Sequence, residues 1–252
     1  MTENIHVFGD SHSEFFFSAP FFVGRMRLKA PLGYRVVGRS IHASSVAGFR
    51  PGKSTLRVKE VIWDALPEAQ RMVLAFGQVD LELGYYYRLA IKGEDTSPDD
   101  YARWLAKIYE EFLEDLLRDT SCDIALKGVN LTCLAPEPFA ARYVARIVTE
   151  ELKMTPDKAV ETISPFILSE NAQNRMHINF NAQLRQIAQK RGIRYFDLNS
   201  GLANEAIPGL SRDVPSLSDH FRPAKFDHHL ADTISVRRMH YEALGRTYNL
   251  IP

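Results

Sequence analysis

The sequence is poor in cysteine and holds no long apolar run. Two cysteines among 252 residues, Cys122 and Cys133, make neither a disulfide framework nor a metal-spaced pair. Isolated thiols suit a reducing compartment. No apolar stretch approaches the ~20 residues needed to span a bilayer. The richest patch, Phe15 to Val23, is interrupted by Ser18, Ala19 and Pro20. The first residues, MTENIHVFGDSHS, carry no basic segment followed by an apolar one, so no signal peptide is expected. An excess of either charge is also missing, since 31 Lys plus Arg balance 31 Asp plus Glu. That balance argues against a nucleic-acid groove or a polybasic membrane surface, and leaves room for a local charged pocket. Internal repeats and low-complexity tracts are absent. The expectation is a cytoplasmic chain that acts on a small molecule or glycan, with no nucleic-acid or membrane partner and an open oligomeric state.

What is present is an alternation of short apolar runs and longer helical patterns. The runs are Ile5 to Phe8, Arg35 to Val37, Met72 to Phe76, Asp123 to Leu126 and Ile193 to Leu198. Ser97-Pro98-Asp99-Asp100 reads as an N-cap, a proline at the first helical position and an acidic first turn. Tyr101, Trp104, Leu105, Ile108, Phe112, Leu113 and Leu116 follow at helical spacing. Further helices are expected from Pro138 to Leu152 and from Ser169 to Arg191, the latter stopped by Gly192. The pattern predicts an α/β chain, a three-layer sandwich around a five-stranded, mainly parallel sheet. No composition break divides it, so residues 1–252 are expected to form one domain. Residues 199–227, with Pro208, Pro215 and Pro223, read as a long loop next to the site.

The first run ends in Gly9-Asp10-Ser11-His12-Ser13. Ligands of open α/β sheets bind beyond the carboxyl ends of the strands, so Ser11 is well placed. A serine is a weak nucleophile and needs a base with an orienting group. Candidates lie at the far end of the chain, in Phe226-Asp227-His228-His229-Leu230-Ala231-Asp232. A histidine there can take the serine proton, and a carboxylate can fix its tautomer.

These residues resemble the SGNH (GDSL-type) hydrolases, through Gly9-Asp10-Ser11 and the late Asp and His. The resemblance implies a flavodoxin-like sheet and a serine esterase without cofactor or metal. Ser11 is then the nucleophile. His229 is the base because Leu230 follows it, with His228 as the other option. The family Asp falls on Phe226, so Asp227 is expected to substitute, with Asp219 and Asp232 in reserve. Gly38-Arg39-Ser40 resembles the segment that gives one oxyanion N–H, placing it on Ser40. Gly77-Gln78-Val79-Asp80 resembles Gly-x-Asn-Asp, with Val79 in place of Asn, so Gln78 is expected to supply the amide. Asp10, His12 and Asp80 are expected beside the substrate. The implied reaction removes a short acyl group, best an acetyl, from a carbohydrate, or transfers it to another hydroxyl.

Other readings stay open. A related fold with a degraded oxyanion hole can serve as a glycan- or partner-binding module. Asp10-x-His12 with Asp227-His228-His229 also resembles the opening of calcineurin-like two-metal phosphoesterases, although no Gly-Asn-His follows. Phe15, Phe16, Phe17, Phe21 and Phe22 are expected to pack the first helix on the sheet. One or two of Tyr85, Tyr86 and Tyr87 are expected to face a sugar ring. His220, Arg222 and Lys225 are candidates for holding an anionic group.

Overall fold

The computed structural model describes residues 3–17, 22–23, 26–27, 34–52, 56–152, 154–204 and 214–251. In chain order the elements are β1 (Glu3–Gly9), β2 (Phe22–Val23), β3 (Met26–Arg27), β4 (Tyr34–Ser40), α1 (Val58–Ala65), β5 (Arg71–Ala75), α2 (Pro98–Asp119), β6 (Asp123–Lys127), α3 (Glu137–Val148), α4 (Pro156–Ile163), α5 (Glu170–Arg191), β7 (Arg194–Phe196), α6 (Asn199–Leu202) and α7 (Ile234–Thr247). Short 3₁₀ and π turns connect them. Strands β2 and β3 form a small antiparallel pair. The five others make one sheet in the order β4-β1-β5-β6-β7, every pair parallel.

β1 lies inside the sheet, between β4 and β5. Interior parallel strands are covered on both faces, which is why β1 and β5 are apolar on both faces, with His6 the one polar residue within the Ile5–Phe8 run. Phe8, Met72, Leu74 and Leu126 face one way, against α1, α2 and α5. Ile5, Val7, Val73 and Ala125 face the other way, against Phe16 and the α7 residue Leu244. Helices therefore cover both faces, giving the α/β/α sandwich. Each fully buried Leu or Phe in these layers stabilises by about 1.5–3 kcal/mol relative to exposure. Among the described residues, no helix is long and apolar enough to cross a membrane.

The two long helices follow their sequence signals. Ser97 accepts the Asp100 N–H at the start of α2, and Ser169 accepts that of Ala172 at the start of α5. Gly192 closes α5 at φ +66°. The helix expected to reach Leu152 ends at Val148, and a 3₁₀ turn covers Glu150–Leu152. Helices α1 and α4 lie outside the sequence expectation. The expected loop 199–227 carries α6, a 3₁₀ turn at Asp219–Phe221 and an antiparallel bridge from Ala203 to Leu217. Residues 205–213 of that loop lie outside the described residues. Phe15 and Phe16 are buried and pack on the α7 residue His240. Phe21 and the side chain of Phe22 lie outside the described residues.

Candidate active site

The site begins where β1 leaves the sheet. A Cβ on Gly9 would come within 2.4 Å of the Ala75 carbonyl and 2.6 Å of the Ser13 Cβ, so only glycine lets the chain turn there. Asp10 follows as the cap of the 3₁₀ turn Ser11–Phe16. One of its oxygens accepts the His12 N–H at 3.0 Å. The other accepts Gly77 N–H at 3.2 Å and Gln78 N–H at 3.1 Å. Burial pushes its pKa up to about 6, against these bonds and the nearby Lys127. Asp10 thus ties β1 to the loop after β5. It is 1% exposed and lines neither groove beside Ser11, so the expectation that it sits beside the substrate gives way to a structural role.

Ser11 is the first residue of that turn. Its Oγ lies 2.8 Å from His229 Nε2. His229 Nδ1 lies 2.8 Å from Asp227 Oδ1. The same oxygen accepts the backbone N–H of His229 at 3.2 Å and the Tyr143 hydroxyl at 3.1 Å. An aspartate side chain readily accepts the N–H two residues on. That turn lets Asp227 reach the ring of its near neighbour despite the short spacing. Phe226 packs instead against Phe139 and Tyr143, with ring centroids 5.6 and 5.9 Å away.

The carboxylate fixes the proton on His229 Nδ1, leaving Nε2 to accept from Ser11. Burial and the adjacent His228 lower the pKa of His229, and Asp227 only partly offsets them. Burial alone would raise the pKa of Asp227, but the bonds from His229 and Tyr143 bring it below the usual carboxylate value. The result is a neutral imidazole beside an ionised carboxylate at neutral pH.

The oxyanion expectations need correction. Ile41 N–H bonds to Gly9 O at 2.8 Å, toward β1. Successive N–H groups of a strand point to opposite edges, so the Ser40 N–H faces away from Ser11. Its hydroxyl bonds to the Asp10 carbonyl at 3.0 Å. Gln78 is buried and turned inward. Its carbonyl accepts Asn130 N–H at 2.7 Å, and its amide donates to Glu82 at 2.9 Å. Asp80 accepts the N–H groups of Val46 and Ala47 at 2.7 and 3.1 Å. Burial pushes its pKa up to about 7. It is 1% exposed, anchors the loop after β4 and lines neither groove beside Ser11, contrary to the expectation.

That loop holds a residue the sequence did not flag. Ala43 sits at φ +59°, a left-handed conformation unusual for alanine. It lines a groove with Ser11, His42, Val79 and His229. Only its backbone conformation marks it, and no side-chain pattern could have found it.

Behind His229 lies a buried polar nest. His12 stacks on His229 with centroids 4.3 Å apart and planes 27° apart. His12 is thus a packing support and not a lining of the mouth. His228 Nδ1 lies 3.3 Å from Glu82 Oε2, and His12 Nε2 lies 3.9 Å from the same oxygen. His228 therefore turns inward, and His229 is the histidine that meets Ser11.

Two grooves meet at Ser11 and His229. One, of about 520 Å³, is walled by Val79, Leu83, Tyr87, Ile147, Val148 and Leu152. Of the three tyrosines, Tyr85 and Tyr86 are core, and only Tyr87 lines this groove. The other groove, of about 460 Å³, is charged, with Glu14, His42, Lys225, Asp232 and Arg237. Arg222 takes no part, because Glu170, at 2.7 Å, holds its guanidinium.

No protein-family model matches the chain. No curated protein matches it either. Solved structures do. A carbohydrate acetylesterase from Sinorhizobium meliloti is 12% identical, with 98% of this chain and 99% of that one covered at TM-score 0.51. A candidate acylhydrolase from Bacteroides fragilis is 14% identical, with 98% and 86% covered at TM-score 0.50. An SGNH hydrolase candidate from Slackia heliotrinireducens is 13% identical, with 98% and 100% covered at TM-score 0.47. The chain has the SGNH-hydrolase fold. In this fold Ser11 lies just past the carboxyl end of β1, and its Oγ meets His229, which lies shortly before α7.

Proposed function

We propose that the protein is a serine esterase that removes an acyl group from a hydroxylated substrate, by preference a carbohydrate. The unbroken chain Ser11–His229–Asp227, with both links at 2.8 Å, carries this reading. Ser11 Oγ attacks the ester carbonyl while its proton moves to His229 Nε2. The tetrahedral intermediate collapses, and the leaving alkoxide takes that proton. Water, deprotonated by the same nitrogen, then cleaves the acyl-enzyme and regenerates Ser11. Asp227 orients His229 and stabilises the imidazolium. The N–H groups of Ser11 and Ala43, residues that line the same groove, are the donors assigned to the oxyanion. With Val79 in place of an amide side chain, the hole lacks a donor of the kind worth ~2.7–4 kcal/mol elsewhere, and turnover is correspondingly slow.

The apolar groove takes the acyl group and the charged groove the hydroxylated part. The sugar preference is supported by the polar groove and by the fold shared with a carbohydrate acetylesterase.

The test is a series of nitrophenyl esters from acetyl to octanoyl, with fluorophosphonate labelling, on wild type and Ser11→Ala. Turnover and label that both vanish in Ser11→Ala are expected. A folded wild type that neither turns over nor labels would sink the reading. Acetylated sugars against their nitrophenyl analogues test the substrate class.

A further inference from the structure

The nest behind His229 is the least satisfied part of the described interior. His12, Glu82 and His228 are 4%, 0% and 5% exposed, so all three are more than nine-tenths buried. Within them, His12 Nε2, Glu82 Oε2 and His228 Nδ1 have no hydrogen-bond partner. Native interiors rarely leave such atoms unpaired. Both histidine nitrogens lie close to the one Glu82 oxygen. His228 Nδ1 and Glu82 Oε2 are 3.3 Å apart, yet misaligned for a hydrogen bond. His12 Nε2 is 3.9 Å from the same oxygen.

A tetrahedral ion with ligand bonds of about 2.0–2.1 Å holds its ligand atoms about 3.3–3.4 Å apart. We infer that His12, Glu82 and His228 form a mononuclear site for a divalent transition cation of the zinc class, set behind the Ser11–His229 pair. Two imidazoles and one carboxylate suit such an ion better than Ca²⁺ or Mg²⁺, which prefer all-oxygen shells. His229 is no ligand, although one of its ring nitrogens lies within 4.8 Å of ligand atoms of His12 and His228. Both of its nitrogens already face Ser11 and Asp227.

Supporting contacts are in place. Thr132 Oγ1 and Gln78 Nε2 donate to Glu82 Oε1 at 2.8 and 2.9 Å, which turns Oε2 toward the histidines. Such outer contacts orient ligands in metal centres. Tyr143 packs on the His228 ring at 5.2 Å. Glu82 itself lies in a π turn, Asp80–Gly84, an element enriched at functional sites. The ion would hold the His12 ring on which His229 stacks, so its role is positional and independent of the hydrolytic chemistry.

The test reads binding and not activity. The full chain is stripped with a chelator, dialysed, and titrated with Zn²⁺ and Co²⁺. One equivalent bound, a raised Tm and a visible Co²⁺ ligand-field spectrum are expected. Glu82→Gln and His228→Ala should weaken Zn²⁺ binding by at least about 100-fold, and Thr132→Val by about 10-fold or more. Asp227→Asn, whose side chain bonds to His229 and Tyr143 and to none of the three proposed ligands, should bind as wild type does. A folded wild type that takes up neither ion would overturn the site. So would Glu82→Gln and His228→Ala variants that, folded by circular dichroism, bind as wild type does. Esterase activity bears on neither outcome.

Discussion

Tyr143 donates its hydroxyl to the same Asp227 oxygen that faces His229 Nδ1. α3 therefore reaches the Ser11–His229–Asp227 chain through Tyr143. Losing a hydrogen bond to a charged group costs about 1.5–3 kcal/mol. Tyr143→Phe is expected to lower kcat roughly 10-fold or more and leave the fold intact. Asp227→Asn should cost far more, roughly 10⁴-fold, by analogy with the handling of the histidine tautomer in serine proteases. Steady-state kinetics on a nitrophenyl ester measures both. Equal effects of the two changes would contradict the supporting role of Tyr143.

The pH profile follows from His229. Its pKa lies below the ordinary 6.5, because burial and His228 outweigh Asp227. The neutral ring is the base, so kcat/KM should be flat above about pH 7 and fall as pH drops through the folded-state pKa. The midpoint of that acid limb is expected below 6.5. Asp227 raises the His229 pKa, so Asp227→Asn should move the limb further down. A limb above 6.5 in wild type would point to a different base.

Ala43 makes a separate prediction. A left-handed residue with a Cβ costs about 1–2 kcal/mol that glycine avoids. Ala43→Gly should therefore stabilise the fold by about 1 kcal/mol in urea titration and keep kcat, since the N–H remains. Val79→Asn should raise kcat by about 10-fold or more if its amide reaches the oxyanion. An unchanged kcat would show that the groove position of Val79 does not face that charge.

Asp10 is expected to matter for stability. Asp10→Ala would leave the buried N–H groups of His12, Gly77 and Gln78 without an acceptor. Each orphaned group costs about 1–3 kcal/mol. A loss of about 3 kcal/mol or more is expected from chemical denaturation. A loss under about 1 kcal/mol would show that water replaces the carboxylate.

The sequence carried the interior strands and the long helices because burial and capping leave local marks. β1 and β5 are mostly apolar and buried past their first residues, and α2 and α5 have side-chain caps. β4 is an edge strand, largely half-exposed, so only Val36 and Val37 stand out in it. α1 and α4 are eight residues each, too short for a convincing period. In the site, Ser11 was legible from its place after a strand, and His229 from Leu230. The fate of Gln78 was not, because Asn130 and Glu82 decide it from other elements. Nor was the inward turn of His228.

The position of β1 inside the sheet carries a last consequence. Ser11 is synthesised early and His229 late, and the two meet only when α7 has docked beside the 3₁₀ turn that follows Ser11. A chain still emerging from the ribosome, or one cleaved between β7 and α7, holds a serine with nothing to take its proton. Reaction of Ser11 with a fluorophosphonate is then a gauge of completed assembly, usable on unfractionated material where spectroscopy cannot tell native from nearly native.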